Sequence, residues 1–185
     1  TGIGLASLDA ITAGDNCTAV GYNALTAMTT GTHNTAVGRY ALSTVNNSHN
    51  TAVGYSAGEA VTTGTGNTFV GAEAGDGTQT GTVNTAVGYK ALSAVCGDGN
   101  TAIGVEALNA STNTRNTALG YHAGLVMTGG DNNTVLGYES GLAILGGHNN
   151  TFVGRSAGLA VNSGNYNTLV GVQAGDNITS GDSNI

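Results

Sequence analysis

The chain has 185 residues, of which only 8% are charged, and four Lys and Arg stand against eleven Asp and Glu for a net charge of −7. That balance excludes a basic nucleic-acid footprint, and so low a charge fraction argues against a disordered polyelectrolyte. Glycine supplies 32 residues and proline none. This is more than twice the ordinary glycine share of about 7%, and no apolar run approaches the roughly 18 residues of a membrane-spanning helix.

A repeat accounts for the composition. Registered on a threonine, the chain divides into eleven copies beginning at Thr1, Thr18, Thr35, Thr51, Thr68, Thr85, Thr101, Thr117, Thr134, Thr151 and Thr168. The spacing is 16 or 17 residues throughout. A fixed short period marks a solenoid, in which each copy is one unit that buries its apolar side against its neighbours. Residues 1–185 are therefore expected to form a single β-solenoid of eleven tandem repeats, and the copies cut short at both ends read as a segment of a longer fibrous protein.

Within each copy the first column is always Thr and the fourth always Gly, from Gly4 to Gly171. The third is always aliphatic: Ile3, then Val20, Val37, Val53, Val70, Val87, Ile103, Leu119, Leu136, Val153 and Val170. The seventh is Ala or Ser and the eighth Leu or Gly. A second apolar column follows at Ile11, Met28, Val45, Val61, Val95, Met127, Ile144, Val161 and Ile178, broken only by Thr78 and Ser111. Glycine and β-branched residues interrupt every helical window, which excludes helix.

Two short apolar-centred stretches per copy, each followed by turn formers, predict two short strands per rung. The fold class is all-β: a parallel β-solenoid or β-roll with one 16–17-residue rung per repeat. Stacked about 4.8 Å apart, the rungs make a rod roughly 50 Å long. The third column from Val20 to Val170 and the eleventh are expected to line the core, with the column-four glycine bending the chain. The second column then points outward. Its larger members, Phe69, Val135, Phe152 and Leu169, imply an outer wall covered by another chain.

At the level of Asn-Thr-Ala-Val-Gly-x-x-Ala the sequence resembles two related repeat groups. One is the head domain of trimeric autotransporter adhesins, whose repeats read roughly N-S-x-A-I-G-x-x-S. The other, which is closer, is the N-T-A-x-G-Y-x-A-L repeat of bacteriophage tail-fibre and related surface proteins. NTAVGYKAL at Asn84 to Leu92 nearly spells it, as does Cys17 to Leu25. The resemblance covers essentially the whole chain, although the rung is longer than that of the adhesin heads by two or three residues. It implies a left-handed roll and three chains side by side, a homotrimer on a virion fibre or bacterial cell surface.

Candidate residues for chemistry are few. Asn34, Asn50, Asn67, Asn84, Asn100, Asn116, Asn133, Asn150 and Asn167 each precede a repeat threonine, and stacked amides of this kind form hydrogen-bonded ladders. Tyr22, Tyr55, Tyr89, Tyr121 and Tyr138 share the fifth column with Arg39 and Arg155. These are candidates for chain–chain packing or for ligand contact, including with sugars. His33, His49, His122 and His148, counted from the preceding threonine, have no convergent neighbours and read as exposed turn residues. Cys17 and Cys96 lie five rungs apart, roughly 24 Å, too far for a disulfide, and read as free thiols. Asp15, Asp98, Asp131, Asp176 and Asp182 sit beside Gly and Asn and read as Asx-turns.

These features yield no catalytic, cofactor or metal-binding assignment, and the expectation is a protein that is not an enzyme. The function that fits is an extracellular fibre segment, a shaft or head acting as a rigid spacer that presents a receptor-binding tip. Its partners would be two further copies of itself and a host-surface receptor or glycan, without nucleic acid or membrane insertion. The alternative is an ice-binding solenoid, which needs a regular threonine array. The array sought beside the first column, at Thr29-Thr30 and Thr62-Thr63, is broken at Asn46-Asn47, Cys96-Gly97, Leu145-Gly146 and Asn162-Ser163.

Overall fold

The structure is a computed structural model that describes all 185 residues. It contains thirteen short strands and no helix: β1 (Gly2–Ile3), β2 (Thr18–Val20), β3 (Thr35–Val37), β4 (Thr51–Val53), β5 (Thr68–Val70), β6 (Thr85–Val87), β7 (Thr101–Ile103), β8 (Thr117–Leu119), β9 (Val126–Met127), β10 (Thr134–Leu136), β11 (Ala143–Ile144), β12 (Thr151–Val153) and β13 (Thr168–Val170). One strand from each rung joins an 11-stranded sheet in rung order. Every pairing is parallel and in register, so that Thr51, Ala52 and Val53 lie beside Thr35, Ala36 and Val37. The molecule is a parallel β-solenoid.

The second predicted strand is regular in only two rungs, where β9 pairs with β11. Elsewhere that stretch is turn and bend, yet it still bonds to the next rung, as in Thr12 N–H to the Thr29 carbonyl at 2.9 Å. Of 112 backbone hydrogen bonds, 92 lie outside regular strands. Cohesion between rungs is therefore spread around the whole coil and does not reside in the sheet alone.

The orientation of the strands reverses the sequence expectation. Column two faces the core: Ala19, Ala36, Ala52, Phe69, Ala86, Ala102, Ala118, Val135 and Phe152 are all fully buried. Column three, from Val20, Val37, Val53, Val70, Val87, Ile103, Leu119 and Leu136 to Val153 and Val170, lies on the outer face, half-exposed or exposed. Leu119 is 45% exposed and Val170 69%. Side chains alternate across a strand, so one misplaced column inverts its neighbour as well. Phe69, Val135, Phe152 and Leu169 thus fill the interior and give no sign of a covering chain.

The physical reason appears in how the rungs share core volume. Column eight, the other main filler, is Leu only where column two is Ala or Gly, as in Ala19/Leu25, Ala36/Leu42, Ala86/Leu92 and Ala102/Leu108; the two remaining Ala rungs, Ala52/Gly58 and Ala118/Gly124, lie one rung below Phe69 and Val135. Where column two is large, column eight is Gly: Phe69/Gly75, Val135/Gly141, Phe152/Gly158 and Leu169/Gly175. A Cβ built on Gly75 or Gly158 would strike the Phe69 or Phe152 ring. Gly58, one rung below Phe69, would meet its Cδ2 at 2.8 Å. Interiors are close-packed, so one space is filled either from the strand or from the opposite turn.

The eleventh column is largely interior, with Met28, Val45, Val61, Met127, Ile144 and Val161 fully buried. Thr78 and Ser111 stay in line and are buried as well. The Thr78 hydroxyl lies 3.2 Å from Cys96 Sγ, whereas Ser111 Oγ has no partner. Val95 departs from the column and is 52% exposed, and Cys96 takes its place inside. That rung, which starts at Thr85, has 16 residues, but so do those from Thr35 and Thr101, where Val45 and Ser111 stay inside, so the shift is particular to this rung.

Column four closes the strand wall. Gly88 has φ of 133°, and a Cβ there would lie 2.5 Å from the Gly104 carbonyl oxygen of the next rung. No side chain fits at this bend. Each rung also holds non-glycine residues in the left-handed region, among them Leu25 at φ 53°, Lys90 at 54° and Val83 at 57°. Such residues cost roughly 1–2 kcal/mol each, and the inter-rung hydrogen bonds offset that cost.

Candidate functional site

Four columns carry the polar and aromatic chemistry, each repeated along the rod. The first is the asparagine spine. All nine residues from Asn34 to Asn167 are buried. Each backbone N–H donates to the Oδ1 of the asparagine one rung earlier, as in Asn50 to Asn34 at 2.9 Å, Asn84 to Asn67 at 2.9 Å and Asn133 to Asn116 at 2.9 Å. Each Nδ2 donates the other way, to a carbonyl of the following rung, as in Asn50 to Gly64 at 2.9 Å and Asn116 to Gly130 at 2.9 Å. Donors and acceptors of a buried amide are thereby satisfied. Cys17 stands in the spine for the first full rung, and its Sγ accepts from Asn34 N–H at 3.5 Å.

A second acceptor column lies two residues before the spine asparagine in several rungs. Asp98 Oδ1 accepts the Thr82 N–H at 2.8 Å, Asp131 that of Thr114 at 3.0 Å and Asp182 that of Asn165 at 2.7 Å. Ser48 and Asn165 do the same for Thr32 and His148. Three of the aspartates expected to close turns within their own rung therefore tie successive rungs together. His148 joins this column, half-buried, with Nδ1 accepting the Asp131 N–H at 3.1 Å; it is not an exposed turn residue. The carboxyl of Asp76 lies elsewhere on the arc, the variable stretch between columns nine and fourteen of each rung. Its Oδ1 is buried without a partner, and burial pushes its pKa above the usual carboxylate range.

The histidines are less scattered than their numbering suggests. His33 and His49 stack with ring centroids 5.1 Å apart and planes 2° from parallel. Both lie two residues before the next repeat threonine, an alignment hidden when columns are counted from the preceding threonine across rungs of unequal length. Both rings are exposed, and Asn16 Nδ2 lies 3.4 Å from His33 Nε2. His122 is half-buried beside Glu106, with Nε2 2.9 Å from Oε2. Cys17 and Cys96 are free and buried, and burial raises the Cys96 pKa.

The fifth column forms an exposed aromatic wall just past the glycine bend. Tyr22, Tyr55, Tyr89, Tyr121 and Tyr138 are 41–50% exposed. Tyr121 and Tyr138, on successive rungs, stack at 5.4 Å with planes 9° apart. Arg39 lies over the rings of Tyr22 and Tyr40, 5.6 and 4.7 Å from their centroids. Its Nη2 donates to the Tyr40 hydroxyl at 3.3 Å. Lys90 covers Tyr89 and also pairs with Glu73 at 3.4 Å. These cations are solvent-exposed, so the contacts orient the rings without adding much stability.

The fourth array is the outer face of the 11-stranded sheet. It consists of the column-one threonines and the column-three aliphatics, neither interrupted in any rung. No column-one threonine is buried, and none of their hydroxyls bonds to the chain. Threonines on the arc behave differently: Thr12, Thr44 and Thr62 bond carbonyls of the next rung. The sheet thus carries one unbroken threonine column beside one unbroken aliphatic column, a regularity the arc lacks. The signal was the strand itself, since residues two apart share a face.

Comparison with known proteins adds no relative: no family model, curated protein or solved structure matches the chain.

Proposed function

We propose that the chain is a structural fibre segment, the shaft or head of a phage tail fibre or cell-surface adhesin, working outside the cell as a rigid spacer behind a receptor-binding tip. The observation that carries this reading is continuity. One sheet and one asparagine spine run through the rungs without a break in register, and a second acceptor column adds inter-rung bonds in several of them. Bending such a rod means stretching several parallel bond columns together, so stiffness follows from repetition. The resemblance to N-T-A-x-G-Y-x-A-L repeats points to the same role.

Within this reading the chain assembles as a homotrimer, and the chain–chain contact lies on the fifth-column wall of Tyr22, Tyr55, Tyr89, Tyr121 and Tyr138. Half-exposed aromatics on every second rung from Tyr22 to Tyr121, and again at Tyr138, are the surface most in need of cover, and Tyr is enriched at protein interfaces. Any ring left outside the contact offers a face to sugars, where weak contacts repeated along the rod add up.

Sedimentation equilibrium tests the assembly: a mass three times the 18.1 kDa chain is expected, and Tyr89→Lys together with Tyr121→Lys should return it to monomer. Negative-stain images should show straight rods of uniform width. A wild-type chain that stays monomeric at micromolar concentration overturns the trimer, and flexible or globular particles overturn the spacer.

A further inference from the structure

We infer that the outer face of the sheet binds ice. The inference goes beyond the fibre reading and uses a different surface, since that reading places the chain–chain contact on column five.

Consider the middle of the rod, where Thr85, Thr101 and Thr117 stand in one row and Val87, Ile103 and Leu119 in the next. In-register strands repeat about every 4.8 Å across the sheet, and residues two apart lie roughly 6.7 Å along it. The face is therefore a two-dimensional grid. Hexagonal ice likewise presents oxygens in rows that repeat in two perpendicular directions, one period slightly shorter and the other slightly longer than those of the grid. A dissolved ligand would see only a bland surface, but a crystalline one meets a comparable period over several successive rungs.

The chemistry of the grid suits solid water. The threonine hydroxyls are free of protein partners and each can donate and accept, which is what a lattice water requires. The methyl groups of Thr, Val, Ile and Leu leave no competing polar atom between rows, and water around apolar groups keeps its own hydrogen-bonded order. β-Branched side chains hold few χ1 rotamers, and the backbone beneath them is tied to both neighbouring rungs. Little freedom is lost when the face meets a crystal, the condition under which many weak contacts sum to tight binding. Neither column contains a charged residue, so no ion shell has to be stripped. The column-five side carries Arg39 and Arg155 and lacks this uniformity.

The test uses the whole chain, with ice as the probe. Wild-type protein is expected to facet growing ice crystals, to show thermal hysteresis and to partition into a slowly growing ice front. Thr101→Tyr and Val70→Lys each break the grid without touching the core, and each should lose most of the hysteresis. Thr63→Tyr, on the exposed arc, should keep it. Melting curves confirm which variants remain folded, and either grid variant suffices if the other is lost. The inference is overturned if the wild-type chain is excluded from ice, or if a folded grid variant retains full activity. It is equally overturned if Thr101→Tyr alters the sedimentation mass, because the face is then covered by a second copy. The fibre reading fails separately, on mass and rod shape measured above freezing.

Discussion

The two sides of the coil follow different rules. The wall from the spine asparagine to the column-four glycine is nearly identical in all eleven rungs. The arc between columns nine and fourteen varies in length, in interior residue and in whether it forms a strand. The wall is where each residue bonds or touches its own copy in the next rung, so a change in one rung is felt in two. On the arc the contacts are mostly backbone, and the rung from Thr85 closes with Val95 out and Cys96 in, where its neighbours keep column eleven inside. Repetition constrains sequence only where side chains meet their own kind.

Substitutions can break that contrast. The largest effect is expected from Gly88→Ala, which places a Cβ 2.5 Å from the Gly104 carbonyl at a φ of 133° and should cost about 4 kcal/mol or more, read by chemical denaturation. Phe69→Ala should cost about 3–5 kcal/mol by opening the core. Adding Gly75→Leu recreates the Ala/Leu filling of other rungs and should recover much of the loss, giving a favourable coupling in a double-mutant cycle. If the second change only adds damage, the two columns do not share one space.

Asn100→Ala comes next. It removes the Oδ1 that accepts Asn116 N–H and the Nδ2 that serves the Gly97 and Asn113 carbonyls, for roughly 2–4 kcal/mol. Just past the arc, at column sixteen, the sign should turn. Val83 is a β-branched residue at φ 57° and 68% exposed, so Val83→Asn should raise the melting temperature, by about 1 kcal/mol of stability. The smallest effect belongs to Asp76, whose folded pKa is raised by burial. Its ionisation opposes folding, so stability falls as pH rises through the window between the unfolded and folded values and stays lower above it. Asp76→Asn should be more stable than wild type at neutral pH, with the difference vanishing around pH 3. A difference that grows on acidification would contradict the burial.

The period, the parallel stacking, the glycine bend and the asparagine column could be read from sequence, because each is a column in which one residue type recurs. The direction of the strands could not be read from the strand alone. Ala and Val are both apolar, and a three-residue strand offers no longer alternation to decide between them. The deciding signal lay six residues away, in the exchange of Ala/Leu for Phe/Gly between columns two and eight, as at Ala86/Leu92 and Phe69/Gly75. His33 and His49 were separated by the choice of counting origin. The inter-rung role of Asp98, Asp131 and Asp182 had no sequence signal, since it depends on which N–H the neighbouring rung leaves open.

The asparagine spine also bears on how the molecule ages. Asparagine ordinarily limits the chemical lifetime of a protein, because the following backbone nitrogen can attack the side-chain amide and release ammonia. Here the following residue is always the repeat threonine, and its nitrogen is already committed: Thr35 N–H bonds the Asn50 carbonyl and Thr85 N–H the Asn100 carbonyl. The amide under threat is itself held at both ends and shut away from water. The residue that would elsewhere set the clock is kept from starting it, in rung after rung, for as long as the stack stays closed.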